Sequence, residues 1–371
     1  MLKTKLGPVA VTAVLAAALA ACSSTADDTT STATDSETSA ATTTDDSGDS
    51  AAAAPATGSG DLGEIPNESI TVAYASPVQA QVGQQMFDLG ASQAAELSGS
   101  DYSSLDSNVD PSKQIANMTT MLQQQPDIIG TWTLDPGSTA GIYQQVTDAG
   151  IPLIGTNSDD NGISSVVWTQ SQLCEDDGPS QQDAQMIADM YPGGTVMTIG
   201  LDGVPSIDSA VECFTDRAEA AGLEVVAHVS NTSDQPAGAQ QLVTDTMVRY
   251  PDVDAVWSYN DTSALGASAA VLAAGKQISD GSSDGVLVFG TNGDESAIQA
   301  VQEGRMTRTW DPNNVEFGWT FFAVAELAAA GEAPDQVVVA STGYTADNVD
   351  TWVTPEDREI SGYEDLVYTV G

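Results

Sequence analysis

Short apolar runs alternate with helical patterns along most of the chain, starting at Ser69. The runs that predict strands are 70–76, 127–132, 151–157, 195–200, 223–230, 254–260 and 286–292. The patterns that predict helices are 82–97, 139–150, 181–191, 209–222, 238–250, 263–275, 294–304 and 316–331. Continuously apolar strands that alternate with helices are typical of parallel sheets covered by helices on both faces. The alternation therefore predicts an α/β fold with doubly wound parallel sheets.

The length of the chain and its strand ends indicate where a ligand would bind. At 371 residues the chain exceeds the usual size of one domain, so we expect two lobes. In open parallel sheets, ligands bind beyond the carboxyl ends of the strands. The residues predicted at those ends are Ser76, Trp132, Thr133, Thr156, Asn157, Ser158, Asn260, Asp261, Thr291 and Asn292. Amides donate and accept hydrogen bonds and aromatic rings pack on sugar rings, so this set favours a neutral polyhydroxylated ligand.

The first 65 residues have the composition of an export signal and a tether. Residues 1–21 carry two lysines and then an apolar stretch too short to span a bilayer, which predicts a signal peptide. The tetrapeptide LAAC, which ends at Cys22, resembles the lipobox of bacterial lipoproteins; a secretory signal with a chance cysteine is the alternative. Residues 22–65 are acidic and rich in Ser, Thr and Ala, so we expect a disordered linker. The protein is expected to be exported and lipid-anchored at the cell surface or the periplasmic side of the cytoplasmic membrane.

Charge and motif content exclude several classes of function. Nine basic residues stand against 53 acidic ones, a net charge of −44, and such a chain repels nucleic acid. The sequence has no GxSxG, GxxxxGK[ST] or HExxH motif, and its one histidine, His228, lies in an apolar strand. We therefore expect a binding protein without cofactor or metal; a secreted glycosidase is the alternative from the enzyme class.

Two cysteines remain if Cys22 carries lipid. An exported compartment permits a disulfide between Cys174 and Cys213, and two free buried thiols are the alternative. A metal site is disfavoured because the chain has no CxxC spacing and His228 lies far from both cysteines in sequence.

One segment is similar to a known family. The stretch YPDVDAVWSYNDTSALGASAAVLAAGK, residues 250–276, resembles the type I periplasmic sugar-binding proteins, in particular the ribose-binding group. VLVFGTNGDESAIQAVQEGRM, residues 286–306, resembles their next strand and helix, and the resemblance extends over about 69–350. It implies two similar doubly wound lobes joined by crossover hinge strands, with ligand held by hinge closure.

The resemblance also implies lobe boundaries. The first lobe would comprise 66–168 with 311–340, and the second 169–310 with 341–371. Cys174 and Cys213 would then share the second lobe, which favours their pairing.

Transferred position by position, the family pattern also implies a site. The ligand-binding positions are Asn260, Asn292, Asn157, Gln81, Asp208, Trp310 and Asp311, and the strand ends add Trp132 and Thr133. Asn292 and Asn157 stand where the family has aspartates. Ser158 and Asp208 stand where it has arginines, so an anionic ligand is disfavoured. For Trp132 and Trp310 stacking on a ligand and ordinary packing are both open, and Asp208 is either a ligand or a solvated acid.

Asn260 has two possible roles at the start of the helix 263–275. It can cap that helix, as Asn and Asp often do, or it can contact a ligand while Asp261, or Thr262 and Ser263, supplies the cap. We expect the second arrangement. The whole pattern predicts a monomeric, lipid-anchored substrate-binding protein of an ABC importer, which passes a neutral sugar or polyol to a membrane permease. A ligand sensor for a membrane receptor, with the same fold, is the alternative within the binding class.

Overall fold

A computed structural model describes residues 62–370. The predicted signal peptide, Cys22 and the linker up to residue 61 lie outside the described residues. Across residues 62–370, none of the helices combines the length and the apolar character that a membrane span requires.

Thirteen strands in the described part of the chain form two sheets. They are β1 (Thr71–Ser76), β2 (Asp101–Asp106), β3 (Ile128–Thr131), β4 (Leu153–Thr156), β5 (Ser165–Thr169), β6 (Thr195–Gly200), β7 (Glu224–Ser230), β8 (Ala255–Ser258), β9 (Leu287–Thr291), β10 (Arg308–Asp311), β11 (Gln336–Val339), β12 (Thr342–Thr345) and β13 (Tyr368–Val370). The first sheet has the order β13-β11-β5-β4-β3-β1-β2, and the second β12-β10-β9-β8-β6-β7. Only the pairs β11–β13 and β10–β12 are antiparallel among these strands.

The helices cover both faces of each sheet. They are α1 (Val82–Ser98), α2 (Pro111–Gln124), α3 (Pro136–Asp148), α4 (Pro179–Met190), α5 (Pro205–Ala220), α6 (Pro236–Arg249), α7 (Asp261–Ala273), α8 (Glu295–Gln302) and α9 (Asn314–Ala330). Short 3₁₀ turns occupy 170–172, 349–351, 355–357 and 363–365. Helices α2 to α6 each begin at a proline, which suits the first helical position because the missing N–H would have no partner there.

Each sheet is packed between two layers of apolar side chains. In the first lobe, α1 and α9 bury an aromatic cluster around Tyr74, Phe87 and Phe321, and α2 and α3 cover the opposite face. Helices α1 and α9 approach closely because both carry glycine at the contact: a Cβ on Gly318 would lie 2.1 Å from the carbonyl oxygen of Phe87. In the second lobe, α6, α7 and α8 cover one face and α4 and α5 the other.

The chain crosses between the sheets several times. It leaves the first sheet after β5, returns after β10, and alternates again through β11, β12 and β13. The sequence placed the whole tail, 341–371, in the second lobe, and this expectation is wrong in part. Strand β12 joins the second sheet, but β13 joins the first. The physical reason is that Leu366 and Tyr363 pack in the core around α9, where Tyr363 meets Trp319 edge-on.

Candidate functional site

A cavity of about 110 Å³ lies where the carboxyl ends of the two sets of strands face each other. Loops that follow β1, β2, β3, β4 and β5 line it from the first lobe. Loops that follow β6, β7, β8, β9 and β10 line it from the second. Five of the predicted site residues line this cavity: Gln81, Trp132, Asn157, Asn260 and Asn292.

Four predicted site residues do not line the cavity. Thr133 is buried, with its Oγ1 2.7 Å from the Tyr143 hydroxyl, and Asp208 is exposed and accepts hydrogen bonds from the backbone N–H of Gly203. Both side chains stabilise their own loops.

Trp310 and Asp311 are likewise held by partners within the protein. The Trp310 indole N–H donates to the buried carboxylate of Asp183 at 3.0 Å, and Arg308 stacks over its ring. Asp311 forms an ion pair with Arg358, which anchors the last crossing of the chain at this point. Of the two roles considered for Trp310, the structure therefore shows ordinary packing, and its ring does not line the cavity.

Asn260 is the N-cap of α7. Its Oδ1 accepts a hydrogen bond from the Ser263 backbone N–H at 2.9 Å, while its Nδ2 donates to Asp234 at 2.8 Å. The prediction that Asp261 caps the helix and leaves Asn260 free is therefore wrong. Asp261 is buried instead: it accepts from Thr309 at 2.7 Å and from the Asp294 backbone at 2.9 Å.

Asp234, which no sequence pattern distinguished, organises one side of the cavity. Its backbone has a φ of +48° in the loop between β7 and α6, a conformation that Asp tolerates better than most residues. Its carboxylate accepts hydrogen bonds from Tyr259, Asn260 and Gln81. Burial, reinforced by the charge of Asp234, raises the pKa of the Tyr259 hydroxyl, which keeps that donor protonated. In a chain with 53 acidic residues, no sequence signal separates this aspartate from a surface acid.

Three side-chain hydrogen bonds join the lobes beside the cavity; in one, the Thr262 hydroxyl at the start of α7 donates to Gln81 Oε1 at 3.5 Å. Gln81, the N-cap residue of α1 in the first lobe, donates to Asp234 in the second. The Trp132 indole N–H, also in the first lobe, donates to Ser206 Oγ at the start of α5 at 2.9 Å. The lobes are therefore in contact across the cleft, as in a closed binding protein.

The amides near the crossovers keep some hydrogen-bonding capacity. Asn157, with a φ of +50°, accepts from the Thr169 backbone through Oδ1, and its Nδ2 forms no hydrogen bond with another described residue. The Asn292 side chain forms no hydrogen bond with any described residue, and Gly293 lets the loop turn there, since a Cβ would lie 2.6 Å from Asp311. Gln172, in the first crossover, has a buried Oε1 without a partner in the described part of the chain. Sequence reasoning missed Gln172 because a glutamine in a loop has no distinguishing pattern.

The electrostatics of the cavity disfavour anions. Among the described residues that line it, Asp234 is the one carboxylate, and there is no lysine or arginine. Behind Asn292 lie three buried aspartates, 261, 294 and 311. Burial, with the charges of Asp311 and Asp234, raises the pKa of Asp294 to about 6. Burial and the nearby Asp294 raise the pKa of Asp261 well above its ordinary value. In residues 62–370 no three His, Cys, Asp or Glu side chains are grouped so that they could hold a metal ion.

Cys174 and Cys213 form a disulfide in the structure, with Cα atoms 5.5 Å apart. The bond ties the segment after the first crossover to α5. Arg217 of α5 strengthens the same contact: it donates to the Cys174 carbonyl at 3.2 Å and pairs with Asp176 at 2.9 Å.

Comparison with known proteins gives the family. A family profile described as "Periplasmic binding protein domain" matches residues 72–333. The chain belongs to the periplasmic binding protein family. The ribose import binding protein of Escherichia coli (strain K12) is 27% identical over 226 residues, which cover 59% of this chain and 71% of that protein. These findings confirm the predicted membership of the type I periplasmic sugar-binding proteins.

Solved structures confirm the predicted fold class. The periplasmic ribose ABC transporter protein of Conexibacter woesei is 22% identical, with a TM-score of 0.66 over 76% of this chain and 94% of that one. The myo-inositol binding protein of Caulobacter, bound to myo-inositol, is 20% identical, with a TM-score of 0.68 over 78% and 97% of the two chains. At these identities the likeness establishes the two-lobed α/β fold of this family.

Proposed function

We propose that this periplasmic binding protein captures a neutral sugar or polyol between its lobes and presents it to the permease of an ABC importer. The observation that carries the proposal is the cavity at the strand ends, lined by amide side chains and Trp132, with one carboxylate and no cation among its described lining residues. Ring hydroxyls need donors and acceptors, and the apolar faces of sugar rings need aromatic or aliphatic surface. The relatives are named for ribose and myo-inositol, which are neutral and polyhydroxylated.

Capture requires the lobes to move. We take 66–168 with 311–340 and β13 as one moving body, and 169–310 with β12 as the other. Closure makes the hydrogen bonds from Gln81 to Asp234 and from Trp132 to Ser206, and opening breaks them. A ligand that touches both lobes shifts this equilibrium toward the closed form, because it binds that form more tightly. The closed form is what a permease would recognise, and no covalent step is involved.

Attachment to the membrane is part of the proposal. A lipid on Cys22, with the linker to residue 61, would hold the lobes close to the permease while leaving them free to rotate. Residues 62–65, predicted as the end of that linker, instead pack on the first lobe, where buried Ile65 lies in a cluster with Ala323 and Leu327 of α9. Replacing Cys22 by Ser should release the protein from the cell envelope into the medium. A variant that stayed in the membrane fraction would contradict lipid anchoring.

A thermal-shift screen of the full chain tests ligand capture. The panel contains neutral monosaccharides, cyclitols, their phosphates and amino acids. A neutral polyol at about 100 times its Kd should add about 2.7 kcal/mol of stability, or about 5 °C in Tm, with no product formed. A phosphate ester should shift Tm far less, because its charge would lie near Asp234 with no cation to balance it. Preferential binding of a phosphate ester or an amino acid would refute the proposal.

A further inference from the structure

The cavity has two chemically different walls. One, called the apolar wall, consists of Val109, Trp132, Leu134, Leu201, Val204 and Ile207. The other, called the polar wall, consists of Gln81, Gln84, Asp234, Asn260, Asn292 and Asn314. Both lobes contribute to each wall, so each wall is complete only when the lobes are closed.

The two walls follow from which helices the loops enter. The apolar wall lies on the loops that lead into α2, α3 and α5, which cover one face of each sheet. The polar wall lies at the starts of α1, α6, α7, α8 and α9, which cover the other faces. A ligand between the lobes therefore meets carbon surface on one side and amide or carboxylate groups on the other.

Trp132 offers the ligand carbon surface rather than a hydrogen-bond donor. Its indole N–H is already engaged by Ser206 of the opposite lobe at 2.9 Å. The backbone of this loop is fixed by the buried Gln114, which donates to the Trp132 carbonyl at 2.6 Å and accepts from the Leu134 N–H at 3.1 Å. Trp132 and Leu134 are thus held in place as parts of an apolar wall.

Val109 is an independent sign that the apolar wall contacts a ligand. It has a φ of +55°, directly after Asn108 at +52°, and a β-branched residue is strained in that conformation. Its side chain is nevertheless 39% exposed at the edge of the cavity, so burial in the core does not account for the strain. Backbone strain of this kind clusters at active sites and at loops that clamp a ligand.

Several groups of the polar wall are already engaged within the protein, and others are left for a ligand. Asp234 already accepts three hydrogen bonds, and Asn260 uses Oδ1 for the helix cap and Nδ2 for Asp234. The side chains of Asn292 and Asn314 form no hydrogen bond with other described residues. These two amides can serve hydroxyls on one side of a ring, and Asn157 Nδ2 and Gln172 Oε1, near the crossovers, can serve further hydroxyls. Hydroxyls that faced the apolar wall would lose their hydrogen bonds to water without replacement.

We propose, on the basis of the function proposed above, that the ligand is a neutral polyol or sugar with an apolar substituent: a deoxy methyl group, an O-alkyl group or an aryl group. The hydroxyls lie toward the polar wall, and the substituent packs between Trp132 and Leu134 of one lobe and Val204 and Ile207 of the other. Closure buries the substituent, so the apolar part of the ligand contributes directly to holding the lobes together.

Matched pairs of ligands test this specificity. Titration calorimetry on the full chain compares galactose, mannose and glucose each with its 6-deoxy form and with its phenyl glycoside. In the pair that binds, the apolar member should bind at least tenfold more tightly, since one methyl group in an apolar pocket is worth about that factor. If the free sugar binds as tightly as its apolar partners, this inference is wrong while sugar capture stands. If neither these ligands nor any neutral monosaccharide or cyclitol of the thermal-shift panel binds, the proposed function fails as well.

A variant at Val109 tests the wall itself. Val109→Asn replaces the apolar group with a residue that accepts positive φ, so the fold should be retained and the preference for the apolar member should fall at least threefold. Val248→Asn is the matched control, because Val248 is 82% exposed on α6 and does not line the cavity. An unchanged preference in Val109→Asn, with the urea midpoint of the wild type or higher, would overturn the role of the apolar wall.

Discussion

Replacing Asn260 by alanine should destabilise the protein as well as alter the cavity. The substitution removes the cap of α7, a hydrogen bond from the Ser263 N–H at 2.9 Å, and the donor to Asp234 at 2.8 Å. Asn260 is 4% exposed, so water cannot replace either bond. A sequence-based interpretation, with Asn260 free at the strand end, would predict loss of binding with unchanged folding.

The expected loss in the free energy of unfolding is the sum of what the two hydrogen bonds contribute. Loss of an N-cap costs about 1 kcal/mol. A hydrogen bond to a charged group contributes about 1.5–3 kcal/mol, and the lower end applies here because Asp234 keeps its bonds from Tyr259 and Gln81. The expected loss in the free energy of unfolding is therefore about 2–3 kcal/mol. Asn260→Ser keeps a capping oxygen and loses only the donor, so it should cost about 1 kcal/mol less.

Urea unfolding of the full chain, followed by circular dichroism, measures both variants against the wild type. Asp110→Ala is the control for capping alone, because the Asp110 carboxylate caps α2 by accepting from the Ser112 and Lys113 N–H groups at 2.8 and 3.3 Å and bonds to no side chain of the described residues. If Asn260→Ala unfolds at the wild-type urea concentration, Asn260 does not cap the helix and the account of this end of the cavity is wrong. Equal losses for the alanine and serine variants would show that the cap contributes nothing.

Three further predictions concern the fold around the cleft. The folded protein holds the proton of Asp294 more tightly than the unfolded chain does, so the stability that Asp294 contributes falls as pH rises from about 4 to about 6. Asp294→Asn should therefore be more stable than the wild type by about 2–3 kcal/mol at pH 7.5 and by much less at pH 4.5. Thermal unfolding measures both values, and an equal difference at the two pH values would contradict this prediction. Peptide mapping after thiol labelling of the denatured, non-reduced protein should find Cys174 and Cys213 unlabelled, and reduction should cost about 4 kcal/mol for this 39-residue separation; labelled peptides would exclude the disulfide. Gly318→Ala should lower the free energy of unfolding in urea by about 3 kcal/mol, because its Cβ would lie 2.1 Å from a carbonyl oxygen of α1. Gly141→Ala in α3 has open space around the new Cβ and should raise the free energy of unfolding by about 0.5–1 kcal/mol. Similar effects at the two sites would refute the close contact between α1 and α9.

The sequence by itself determined the layered α/β fold and most of its elements. Strand β6 and helix α1 follow the predicted runs to within a residue, because their buried faces produce long, regular apolar patterns. Strand β2 was missed because it lies at a sheet edge, where its residues alternate between exposed and half-buried and no continuous apolar run forms. Strand β10 was missed since it has only four residues, 308–311, at a crossover.

The sequence predicted only part of the site, namely the residues at strand ends. Strand ends are visible in a sequence, so Asn157, Asn260 and Asn292 could be identified as facing a common cleft. Which residue caps α7 could not be identified, since Asn260 and Asp261 are both good caps and the choice depends on burial of Asp261 against Thr309, 48 residues away.

Only the tertiary structure decided how the cleft is closed and what its walls are made of. The bond from Gln81 to Asp234 spans 153 residues, and that from Trp132 to Ser206 spans 74. Neither has a local pattern, because each joins loops whose separation is set by the packing of two sheets. Apolar periodicity encodes which face of an element is buried, whereas the meeting of two loop sets across a hinge depends on the position of whole lobes. The sequence therefore predicted a cleft with amide groups, and the fold placed Asp234 and the apolar wall in it.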